Sequence, residues 1–252
     1  MRISKVSRRD KEMEYIIEKT MDRTKRTGRI KTKRQKQLRI RILSVLIVVI
    51  ILVIGAGILY KWNIIPHKRY TNGDFGIEKY KSDVDKDGDG IDDQTDILEG
   101  VRKYIATEPQ YKSVYYAGGY PDDEYGVCTD VVAQGFLNAG YDLMELVSED
   151  IANAPEAYNI DIPDKNIDFR RVRNLKVFFK RHAISLTTDV SKIEQWQGGD
   201  IVIFESHIGI ISDKRNSNGT VFIIHHGSPT QAGYEQDILE GRDDIIGHFR
   251  WN

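Results

Sequence analysis

Cysteine occurs once in these 252 residues, at Cys128, so no intramolecular disulfide can form. Any part of the chain working outside the cytoplasm must be held by core packing or by a metal. A second scarcity is local: the nineteen residues from Ile42 to Tyr60 contain no charge. The third concerns the segment before them. Basic runs such as Lys25-Arg26 and Lys31-Thr-Lys-Arg carry no interleaved aromatics and no recognisable binding motif, which argues against nucleic acid as a partner.

The formal net charge of -1 conceals an asymmetry: sixteen of the 37 Lys and Arg precede Ile42, against five acidic residues, leaving 21 basic and 33 acidic residues in the rest. Residues 1–41 read as a basic cytoplasmic tail with a short amphipathic helix around Met13 to Met21. Residues 42–60 are long enough to cross a bilayer as a helix, with Tyr60 and Trp62 suited to the far interface. Positive flanks stay inside, so everything after Trp62 is expected outside the cell membrane. The apolar run exceeds that of a cleaved signal peptide, the basic region is long, and no small-x-small site closely follows Tyr60, which favours an uncleaved single-pass anchor. The juxtamembrane basic run suits anionic lipid headgroups.

Residues 61–82 read as a linker punctuated by Pro66 and Gly73. Within 83–96, Asp85-Lys-Asp-Gly-Asp-Gly-Ile-Asp-Asp-Gln-Thr-Asp96 has the spacing of an EF-hand-type loop, similar to the single loops of dockerin-like and thrombospondin-like repeats. Asp85, Asp87, Asp89, Asp93 and Asp96 offer carboxylates and Ile91 its carbonyl, predicting a structural Ca2+ that fixes the start of a helix over 95–106. Position twelve is Asp where such loops usually carry Glu, and a solvated acidic turn is the alternative.

Around the single cysteine, Pro121 and Gly126 mark a loop, while Val131, Val132, Phe136 and Leu137 share one face of a helix starting near Cys128. A thiol there is a candidate nucleophile, because the free N–H groups and positive dipole end favour thiolate and predict a lowered pKa. A small buried hydrophobe is the other reading. The aromatic stretch 112–120 fits a groove wall or core equally. The cysteine helix is expected to end at Gly140, with another over 141–154. Over 168–182, Val172, Leu175, Phe178 and Phe179 form a helical stripe. Arg170 and Arg171 are its wet face, or partners of Asp168 or of an anionic substrate, and His182 suits a C-terminal cap.

The remainder reads as a turn from Trp196 followed by an apolar strand ending at Phe204, then strands over 207–213, 221–226 and 246–251, with a hairpin signal at 216–219. His207 opens one strand and His225 closes its neighbour, so an antiparallel pairing brings two imidazoles to one sheet end. A cysteine helix packed on that sheet presents its start to them. Strand alternation lets only one of His225 and His226 face the thiol.

Gly126-Val-Cys-Thr-Asp-Val-Val, Ile167-Asp-Phe-Arg-Arg-Val-Arg-Asn-Leu, Gly199-Asp-Ile-Val, His207-Ile-Gly-Ile-Ile-Ser-Asp, Ile224-His-His-Gly and Gly247-His-Phe-Arg together resemble a bacterial family of unknown function numbered 1287, over roughly 96–251. More distantly, the order of these motifs is similar to NlpC-type papain-like cell-wall cysteine peptidases, although Val-Cys-Thr stands where those enzymes usually have Asp-Cys-Ser. That resemblance implies an α+β papain-like domain over 97–252, with the nucleophile helix on an antiparallel sheet. In it Cys128 is the nucleophile, His207 the base and His225 the orienting residue. It further implies an amide hydrolase acting through a thioester on peptidoglycan or another envelope polymer. The alternatives are an acyltransferase or transpeptidase, and a non-catalytic envelope-binding module. Asp200 is expected to fix its turn.

Overall fold

The computed structural model describes residues 8–62 and 64–252, and its chain divides into two compact units, 1–59 and 60–252. The first is one helix, α1 (Arg8–Lys61). Residues 1–7 of the expected basic tail lie outside the described residues. From Arg8 onward the tail is helical throughout, where the sequence predicts only Met13 to Met21. No proline interrupts it, and Lys, Arg, Glu and Leu all favour the helix. By length and apolar composition α1 is a candidate membrane span, and its hydrophobic side chains from Ile42 to Tyr60 are largely exposed.

The second unit is a mixed α+β fold. Its helices are α2 (Asp93–Ile105), α3 (Cys128–Asn138), α4 (Leu143–Asn153), the short α5 (Pro155–Tyr158) and α6 (Lys165–Asp168), and α7 (Val172–His182). A parallel pair, β1 (Gln110–Tyr111) and β2 (Tyr125–Gly126), leads into α3. The main sheet comprises β3 (Ile184–Ser185), β4 (Ile201–Phe204), β5 (Ile208–Arg215), β6 (Val221–Ile224), β7 (Glu235–Gln236) and β8 (Ile245–Arg250). Its order is β3-β8-β4-β5-β6-β7, all antiparallel.

Alternation along the strands divides the core in two. Ile201, Ile203, Ile208, Ile210, Ile224 and Phe249 pack with Ile97, Val101, Val132 and Phe136 of α2 and α3. Val202, Phe204, Ile211, Val221 and Ile223 pack instead with Trp196 and Leu239. A strand covered on both faces needs apolar residues at every position, which is why β4 reads Ile-Val-Ile-Phe without a polar break. Stretch 61–82, read as a linker, is partly sewn to the domain. Tyr70 and Arg215 exchange two backbone hydrogen bonds of 2.8 Å, and the Arg215 Nε donates to Asn72 at 2.7 Å.

Helices α2 and α3 cross closely because Gly135 has no side chain. A methyl group there would lie 2.9 Å from the Ile97 carbonyl oxygen and 2.7 Å from Val101 Cγ1. The crossing sets the height of α3 over β5, so Gly135 positions the helix that carries Cys128. In an ordinary helix Gly→Ala stabilises by about 1 kcal/mol. Here Gly135→Ala is expected to destabilise the domain by about 1–3 kcal/mol through overpacking against backbone. Urea denaturation of the full chain in detergent measures it, and a gain in stability would show that the crossing has room.

Candidate active site

Cys128 is the first residue of α3, following an extended Val127. Two features fix that turn. The Asp130 carboxylate accepts the Val127 N–H at 2.8 Å and receives both Nε (2.6 Å) and Nη2 (2.8 Å) of Arg170. Arg170 also donates Nη1 to the Val114 carbonyl at 2.6 Å, and Thr129 Oγ1 donates to the Arg170 carbonyl at 3.3 Å. Both side chains of this bidentate pair are essentially buried. Of the partners the sequence offered Arg170, neither Asp168 nor substrate is the one used; Arg171 lies 3.7 Å from Asp168.

The thiol is half-buried, and its pKa is pushed up to about 11. Burial is the main cause, opposed by the Ile208 N–H and reinforced by Asp130; the Thr129 and Cys128 N–H groups also pull down. The lowered value expected from a helix start is therefore reversed, because apolar surroundings outweigh the oriented N–H groups. The Ile208 contact is informative in another way. It places the sulfur against the first residue of β5, directly after His207.

His207 precedes β5 and His225 follows β6, which bring them together at one end of the sheet. Their Nε2 and Nδ1 atoms are 2.8 Å apart, and His225 Nε2 lies 3.0 Å from Gln236 Oε1 on β7. An amide oxygen can only accept, so His225 donates from Nε2 and its Nδ1 accepts from His207 Nε2. The remaining nitrogen of His207, Nδ1, is then the unprotonated one. Burial lowers the His207 pKa to about 4, helped by the nearby Arg242 charge, and lowers His225 to about 3, helped by His207. Both rings are neutral near pH 7.

Of the two adjacent histidines, His225 touches His207, whereas His226 packs edge-on to Tyr111 and Tyr234 at 5.2 and 5.1 Å. Cys128, His207, His225 and Gln236 line one open cleft of about 890 Å³, together with Tyr111 and Arg242. No hydrogen bond joins the thiol to either imidazole among the described residues. Gly227 borders the pair closely, since a Cβ there would sit 3.3 Å from both rings. Tyr115, Tyr116 and Tyr120 of the aromatic stretch bond instead to Asp164, Asp123 and Asp142, so they serve turns and core. Asp200 does fix its turn: buried, it accepts the Gln197 N–H at 2.8 Å and pairs with Arg250 and His248. His182 ends α7 and bonds Asp150 at 2.8 Å.

Of the expected cation ligands, the carboxylates of Asp85, Asp87 and Asp89 lie within 4.8 Å of one another. Asp93 accepts from the Lys86 N–H within the loop at 2.8 Å and from the Tyr141 hydroxyl. Asp96 accepts from Asn138 Nδ2 at 2.9 Å, and Ile91 donates its N–H to Asp89 Oδ1 at 2.8 Å.

With that geometry established, a family described as a domain of unknown function, DUF1287, matches residues 98–251. The chain belongs to the DUF1287 family. The matched range holds Cys128, His207, His225, Gln236 and Arg242; α1 and the Asp85–Asp89 cluster fall outside it. Among curated proteins, the uncharacterized protein YijF of Escherichia coli (strain K12) is 36% identical over 169 residues, covering 62% of this chain and 80% of the relative. No solved structure matches this DUF1287 member.

Removing one partner of a buried pair leaves the other charge uncompensated. Arg170→Ala is expected to cost about 3–5 kcal/mol. Adding Asp130→Asn should recover part of that loss, which denaturation midpoints of the two variants test. No recovery would mean that packing, rather than charge, dominates.

Proposed function

We propose that this DUF1287 chain is a membrane-anchored cysteine hydrolase of papain-like, NlpC type, facing outward and cleaving an amide in peptidoglycan or another envelope polymer. The observation that carries the reading is one cleft holding a thiol at a helix start and the relay His207–His225–Gln236, whose tautomers leave a lone pair on His207 Nδ1. The outward orientation rests on the charge asymmetry about the candidate span.

In this mechanism His207 Nδ1 takes the Cys128 proton as the sulfur attacks the acyl carbon, and the C–N bond breaks as His207 returns that proton to the leaving amine. Water, deprotonated by the same nitrogen, then cleaves the thioester and regenerates the thiol. His225 accepts from His207 Nε2 throughout and steadies the transient imidazolium. Because the resting groups are a neutral thiol and a neutral imidazole, proton transfer accompanies attack. An amine replacing that water would give the transferase variant.

Digestion of purified peptidoglycan by the full-length protein in detergent, followed by mass analysis of the fragments, is the direct test. Cys128→Ala should abolish fragment release, and Gln236→Ala should lower kcat by about 10- to 100-fold by freeing the His225 tautomer. The acid limb of kcat/KM reports protonation of His207. It is expected near pH 4, and a midpoint at the ordinary histidine value would contradict the buried neutral pair. Fragment release by Cys128→Ala would sink the hydrolase assignment.

The reading includes a structural Ca2+ held by Asp85, Asp87, Asp89 and the Ile91 carbonyl. Its support is the loop spacing and the three clustered carboxylates. Asp96 is also pushed up to about 6 by burial and by the Asp89 and Asp87 charges, a repulsion that a cation would relieve. Millimolar Ca2+ should raise the thermal midpoint of the wild type and leave that of Asp87→Ala unchanged. Equal midpoints with Ca2+ and with chelator would identify the loop as a solvated turn.

A further inference from the structure

The globular part carries 33 acidic residues against 21 basic ones, yet no carboxylate lines the candidate catalytic cleft among the described residues, while Arg242 and Lys61 do. Arg242 is a built feature of that wall. Its guanidinium lies 4.3 Å over the Phe204 ring, and Asp244 accepts from Nε at 2.7 Å and from Nη2 at 2.5 Å. Asp244 is not part of the lining, so it orients the guanidinium from outside the cleft. Nη1 has no hydrogen-bond partner among the described residues. The same Phe204 ring stacks on His207 at 5.9 Å, so the cation and the imidazole share one aromatic neighbour.

A guanidinium fixed by a carboxylate on one edge and an aromatic face below offers its free edge to a planar anion, and guanidinium geometry matches carboxylate. We propose that Arg242 is a specificity-determining residue that binds a carboxylate of the substrate in the cleft that holds Cys128. The substrate class is therefore anionic: an amide that carries a free carboxylate within reach of the cleft wall. This rests on the hydrolase reading above for the identity of the attacked bond, and on the cleft's electrostatics alone for the preference.

Because Cys128 is the only cysteine, its alkylation reads the local field without any substrate. The full-length protein in a neutral maltoside detergent is treated with iodoacetate or with iodoacetamide, which differ by one negative charge. The ratio of the two rates is normalised to that of a free thiol in the same buffer. Wild type is expected to favour iodoacetate over that reference by about fivefold at low salt, with the preference shrinking as salt rises. Arg242→Gln should bring the normalised ratio close to one, and Arg242→Lys should keep most of the preference, which a merely structural role would not produce. A ratio equal in wild type and Arg242→Gln, with both reagents labelling, overturns the carboxylate assignment and leaves the hydrolase reading standing. Failure of both reagents to label folded wild-type protein overturns the two together.

Discussion

The buried Asp130–Arg170 pair is the constraint on which the candidate site depends. Two ions out of water cost several kcal/mol each unless every remaining donor and acceptor is met. Here Val127 supplies an N–H to the carboxylate, and the Val114 carbonyl accepts the remaining guanidinium edge. The pair thereby joins three segments distant in sequence: the stretch before the cysteine loop, the first turn of α3, and the link from α6 to α7. Its contribution lies in register more than in net stability. It fixes which residue of α3 comes first, and hence where Cys128 meets β5.

That placement decides the chemistry of the thiol. A helix start and three neighbouring N–H groups favour a thiolate, but they act on a sulfur among apolar side chains, and desolvation is the larger effect. Both imidazoles are depressed by the same cause. The resting cleft therefore holds no separated charges between thiol and imidazole. Its asymmetry comes from hydrogen-bond direction, which the amide of Gln236 sets at the far end and the two rings pass along. A residue that never meets the thiol thus determines which nitrogen of His207 is unprotonated.

The parts legible in the sequence are those whose signal is local. The apolar run 42–60, the Ile-Val-Ile-Phe strand, the stripe over α3 and the hairpin signal at 216–219 each report their own surroundings, and the histidine pairing follows from strand order. Gln236 was not legible. Its strand is two residues long inside an irregular segment, and nothing nearby distinguishes it from other glutamines. Arg170 and Asp130 were visible as residues but not as partners, because forty positions separate them and a helix's wet face explains an arginine equally well. The acidic loop marks the opposite limit. Its spacing describes what a chain can wrap around a cation, and the hydrogen bonds that Asp93 accepts from Lys86 and Tyr141, and Asp96 from Asn138, are not written in that spacing.

Electrostatic coupling across the cleft follows from these positions. Arg242 is, after burial, the main influence holding His207 in its neutral form, with Asp244 opposing it. Linkage makes that influence reciprocal: an anion that neutralises Arg242 must raise the proton affinity of His207 by the same free energy. In the proposed hydrolase, His207 would become a stronger base when a carboxylate arrives, as the Cys128 proton needs an acceptor. Both groups contact the Phe204 ring, which holds the guanidinium and the imidazole on one aromatic neighbour. Recognition and activation of the nucleophile then share one charge, and a neutral substrate analogue would lose both.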